Sequence, residues 1–68
     1  MSVAKISEIT STSKKGFEDA IQSGIRRAGK TIRGITGAWV ADQEVVVKDG
    51  KVIEYKVRMR VTFVLDKE

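Results

Sequence analysis

Apolar and polar residues alternate with a period of two from Val52 to Leu65. Tyr55, Val57, Met59, Val61, Phe63 and Leu65 fall on one face, and Glu54, Lys56, Arg58, Arg60, Thr62 and Val64 on the other. That period predicts a long strand with one face on a core. Between Lys14 and Arg33 the spacing changes. Phe17, Ile21, Gly24, Ile25, Ala28 and Ile32 recur every three or four residues, flanked by Ala20. This predicts one amphipathic helix over that span, ending at Gly34. Ala20, Gly24 and Ala28 are small, so the helix backbone should approach its packing partner closely. Glycine inside a helix costs about 1 kcal/mol relative to alanine, and close contact is the reason to accept that cost.

Val3–Ile9 reads as a short first strand, and Thr10-Ser11-Thr12-Ser13 supplies residue types that cap a helix. Ile35 to Lys48 reads as a second strand. Asp49-Gly50 is a two-residue hairpin signal, because both positions tolerate left-handed backbone angles. A helical crossover makes the first two strands parallel, and the hairpin makes the second and third antiparallel. The third strand is then central. The expected fold is α+β, a β-α-β-β chain with a three-stranded antiparallel sheet of order 1-3-2 partly wrapped around one helix, as a single domain over residues 1–68.

A helix about 30 Å long covers one face of that sheet and leaves the other open. Continuing the hairpin register from a Val47–Val52 pair places Val45 opposite Glu54. Gly37, Trp39, Ala41, Gln43 and Val45 then share the face of Lys56, Arg58 and Arg60. An uncovered face with a tryptophan and a valine among arginines is what a subunit contact looks like. The same register turns Asp42 and Glu44 toward the helix, where unpaired carboxylates are costly. Either the strand bulges there, or its distal half passes the helix and meets a neighbour, with Arg26 and Arg27 as candidate partners. Trp39, Asp42, Glu44, Arg26, Arg27 and Arg60 are therefore candidate interface residues.

Composition sharpens the expectation of assembly. A chain of 68 residues has little room for a core, and it contains no cysteine and no histidine. A disulfide staple and a structural zinc site are thus excluded by inventory, leaving self-association. The same inventory argues against an enzyme: the serines cluster where capping explains them, and no acid pair has a spacing that suggests proton transfer. No apolar run is long enough to span a bilayer, and the first ten residues lack the shape of a signal peptide, so a cytoplasmic protein is expected. Asp42, Glu44 and Asp49 are oxygen donors without the spacing of a calcium loop, so no metal site is expected within one chain. A net charge of +4 admits an anionic partner. Lys56, Arg58 and Arg60 beside Trp39 would suit a small nucleic-acid-binding module, but ion pairing with Asp42, Glu44 or Glu54 is the better account of so short a stripe.

Several strings, taken together in this order, resemble the dodecins. Lys5-Ile6-Ser7-Glu8-Ile9 with Ser11-Thr12-Ser13 is similar to that family's opening strand and turn. Phe17-Glu18-Asp19-Ala20-Ile21, Gly24-Ile25-Arg26-Arg27-Ala28 and Thr31-Ile32 are similar to its helix. Ala38, Val40 and Asp42-Gln43 are similar to its second strand, and Tyr55 to Leu65 to its third. The resemblance implies a homododecamer, a hollow sphere that binds and stores small molecules, flavins above all. It implies a flavin ring stacked on a tryptophan early in the second strand and hydrogen-bonded by a glutamine on the third. Gly37 and Lys56 stand at those two positions here. Weak binding of flavin mononucleotide (FMN) or riboflavin is the expectation. Trp39, displaced by about 7 Å along the strand, is a substitute platform, with Gln43 and Arg58 as further candidate contacts. Lys56 favours a phosphorylated ligand. The second strand is also similar to that of a calcium-associated branch of the family, which lacks the flavin pair and has a structural or ion-binding role.

Overall fold

The computed structural model describes residues 3–65. Four elements follow one another: β1 (Val3–Ser13), α1 (Phe17–Ala28), β2 (Ile35–Lys48) and β3 (Lys51–Leu65). They form a three-stranded sheet of order β1-β3-β2, with both outer strands antiparallel to β3. The expected α+β fold and strand order are those observed.

The hairpin forms where expected. Asp49 and Gly50 adopt φ values of 54° and 75°, the two consecutive positive angles that match the twist of the flanking strands. Val47 pairs with Val52, as the alternation implied. The register then departs from a simple continuation. A shift between Val46 and Val47 sets Val46 opposite Glu54 and Val45 opposite Tyr55; a second shift, between Val40 and Asp42, returns Trp39 to a position opposite Arg60. Between the two shifts Asp42 and Glu44 face away from the helix, opposite Arg58 and Lys56. The strand bulges, and the two carboxylates escape burial. Gln43 and Val45, expected beside Lys56, turn instead to the helix side, opposite Val57 and Tyr55. Gly37 and Trp39 keep the expected face.

The helix is shorter than its apolar period suggested. Its first residue is Phe17 because β1 continues through Ser13 and uses the presumed capping cluster as strand. Only Ser13 serves the helix entry: its Oγ accepts hydrogen bonds from the N–H groups of Lys15 (2.9 Å) and Gly16 (3.4 Å), and donates to Asp19 Oδ2 (2.7 Å). At the other end Gly29 caps the helix, and Thr31 and Ile32 both donate backbone N–H groups to the Ala28 carbonyl. A glycine followed closely by two β-branched residues stops the helix one turn early. Gly34, expected as the cap, instead serves the connection to β2. Its φ is 78° and its carbonyl accepts a 3.0 Å hydrogen bond from Val64 N–H. A Cβ there would lie 2.8 Å from the Val64 carbonyl oxygen.

These twelve helical residues span about 18 Å, against roughly 50 Å for the fifteen of β3. The described residues measure 53 × 19 × 14 Å. α1 lies against β1 and β3 and hides a small core of Ala20, Val57 and Met59, bordered by Ile9, Phe17, Ile21 and Ile25. Gly24 is the point of closest approach. A Cβ on it would lie 2.9 Å from both Met59 Cε and Ser11 Cβ. Phe17 meets Tyr55 edge to face, with centroids 5.1 Å apart, closing the core toward the hairpin.

Candidate functional site on the open face of the sheet

Alternation places Glu8, Thr10 and Thr12 of β1 beside Arg60, Arg58 and Lys56 of β3, and the bulged β2 sets Trp39, Asp42 and Glu44 on their other side. The open face is thus a three-strand ladder of charges ending in a tryptophan. Arg58 is its centre. Arg58 Nη1 donates to both carboxylate oxygens of Asp42, at 3.0 and 2.8 Å. Its Nε lies 3.3 Å from Glu8 Oε2. Arg60 Nε stands 3.6 Å from the other Glu8 oxygen.

Arg58 therefore engages two carboxylates of its own chain, through Nε and Nη1. Side-chain exposures of 41% for Arg58, 47% for Glu8 and 59% for Asp42 keep these pairs screened, each worth about 0–1 kcal/mol. Glu8 went unnoticed in the sequence because β1 offers only weak alternation. Its signal is parity: once β1 is antiparallel to β3, an acid opposite Arg60 is the natural neutralising partner.

Lys56 stands between Thr12 and Glu44, and Trp39, 45% exposed, stands opposite Arg60. Gly37 pairs with Thr62. Thr62 lies six positions from Lys56 along β3, about 20 Å at strand rise. Gly37 and Lys56 share a face of one chain but cannot touch one ligand ring together. A site using both needs a second subunit. Arg26 and Arg27 are exposed on α1, on the other side of the sheet from Asp42 and Glu44. Any contact between these groups would have to run between chains.

Exposed apolar residues complete the picture. Val47 (57%) and Val52 (47%) lie side by side on the open face, and Val45 and Ile53 on the other, beyond the start of the helix. Among the described residues no group of three acidic side chains could hold a metal ion. No helix among them is long and apolar enough to cross a membrane.

A short helix on a sheet nearly three times its length, with apolar surface exposed at the far end, defines a small β-α-β-β fold that leaves part of its sheet uncovered. The chain belongs to the dodecin family, whose sequence model, described as Dodecin, matches residues 3–66. A curated relative, the calcium dodecin of Mycobacterium tuberculosis, is 32% identical over 93% of this chain and 89% of its own length. Among solved structures, the dodecin from Streptomyces davaonensis superposes with a TM-score of 0.92 at 30% identity, covering 97% of each chain. A protein from Thermus thermophilus gives 0.93 at 34% identity over the full length of both.

Proposed function

We propose that this chain is one subunit of a hollow homododecameric shell that binds and stores a small molecule without transforming it. The observation that carries this reading is the division of the site: Gly37 and Lys56, about 20 Å apart on one face, meet a common ligand only if copies associate. The exposed valines of the hairpin and Trp39 supply apolar surface for that association. Flavin is a weak ligand in this reading. Gly37 offers no ring to stack on, and Lys56 replaces a neutral hydrogen-bonding amide with a cation. A stacking partner is worth roughly 1–3 kcal/mol, so its loss weakens binding by about 5- to 150-fold. Sedimentation velocity combined with quenching of flavin fluorescence tests both halves. A twelve-subunit species that quenches FMN more strongly than riboflavin is expected. A monomer at micromolar concentration sinks the shell, and no quenching by either flavin sinks the flavin assignment alone.

A second reading is ion binding by a flavin-independent shell. It is favoured by the 32% identity to a protein called calcium dodecin. Asp42, Glu44 and Asp49 do not form a site within one chain, so carboxylates of different subunits would have to converge on a symmetry axis. Calorimetric titration of the assembled protein with calcium distinguishes this reading, with magnesium as the control.

A further inference from the structure

The connection between α1 and β2 folds over the end of β3 and leaves an open pocket of about 500 Å³, lined by Thr31, Ile32, Arg33, Gly34, Thr36, Phe63, Val64 and Leu65. This is within the size range of small-molecule sites, about 300–1,000 Å³. It lies at the opposite end of β3 from the hairpin. Its shape follows from Gly34: the left-handed glycine and its hydrogen bond to Val64 pin the connection against the strand. Its lining combines apolar Ile32, Phe63 and Leu65 with Thr31, Thr36 and Arg33, and the Thr31 hydroxyl donates to the Ala28 carbonyl at 3.4 Å.

Among the described residues the charge around this pocket is one-sided. Lys5 stands opposite Phe63 in the β1–β3 register. Lys30 precedes the pocket in the same connection, and Arg33 lines it. Among the described residues none of these three enters a salt bridge, whereas Arg58 and Arg60 at mid-sheet do. Complementing the helix dipole explains Arg26 and Arg27 in the last helical turn. It does not explain Lys30 and Arg33, which follow the cap at Gly29. A cation beside apolar side chains suits an amphipathic anion, with Ile32, Phe63 and Leu65 taking the hydrocarbon body and Arg33 the acidic group.

We infer that this pocket binds a small organic anion with an aromatic or aliphatic body, at a site distinct from the open face that carries Gly37 and Lys56. The test uses the full-length protein and two fluorescent probes that share an arylamine-naphthalene body: 8-anilinonaphthalene-1-sulfonate and the uncharged N-phenyl-1-naphthylamine. The sulfonate should bind once per chain and about tenfold tighter than the neutral probe, the increment expected of one charge-assisted hydrogen bond. Arg33→Gln should abolish that preference while leaving the neutral probe in place. Thr36→Leu, which fills the pocket and keeps the charge, should weaken both. Lys51→Gln, which removes the same charge at the far end of β3, should change neither. Equal affinity for the two probes, equal losses in the Arg33 and Lys51 variants, or no binding of either probe would each overturn the assignment.

Discussion

The centre of β3 and its hairpin end sit in different environments, although the strand reads as one uniform alternation. At its centre Val57, Met59 and Val61 are completely buried under α1 and β1. Toward the hairpin Val52 and Ile53 are 47% and 43% exposed, and Val45 and Val47 of β2 are exposed as well. The residue types hardly differ. What differs is the reach of a twelve-residue helix. Apolar side chains under the helix hold the fold, and those beyond it are free to hold a neighbour.

That contrast can be broken first at Met59. Met59→Ala should cost about 2–5 kcal/mol, read as a lower urea midpoint at a fixed protein concentration. A loss under 1 kcal/mol would mean that the helix-covered centre is not the core. Gly24→Ala comes next. Its new methyl would enter the 2.9 Å gaps to Met59 and Ser11, and overpacking of about 1–3 kcal/mol should exceed the gain of about 1 kcal/mol in helix propensity. A stabilised variant would show that Met59 moves aside at no cost.

At the exposed end the expected readout is different. Val52→Lys should lower the oligomer mass seen in sedimentation while changing the far-UV circular dichroism little. If assembly is untouched, the hairpin valines are not a subunit contact. The smallest effect belongs to the charge ladder. Asp42→Asn removes a half-exposed pair worth about 0–1 kcal/mol, so its thermal midpoint should fall by no more than about 8 °C. Raising the salt concentration should shrink that difference further.

Much of this was legible beforehand, for local reasons. β2 begins and ends where its flanking Gly34 and Asp49-Gly50 imply. The helical stripe from Phe17 to Ala28 is the face that packs. The limits of the helix were not legible, because Thr10 to Ser13 suit a cap and a strand equally well. Their use as strand depends on pairing with Tyr55, Lys56, Val57 and Arg58, which lie far along the chain. The partner of Arg58 was hidden for the same kind of reason. Asp42 was recognised as an acid near the arginines, but its face depended on two register shifts, and Glu8 on a strand pairing that its own alternation barely announces.

Sequence alone determined the period of each element, the turn at Asp49-Gly50 and the antiparallel order with β3 in the middle. These follow from backbone sterics and from side-chain alternation, which act over a few residues. The tertiary structure decided which face Asp42, Gln43 and Glu44 present, how far the helix runs, and which apolar residues are left uncovered. Those outcomes compare burial, ion pairing and desolvation across three strands at once. Two bulges keep the carboxylates in water and bring Asp42 to Arg58, and only the assembled sheet makes that alternative the cheaper one.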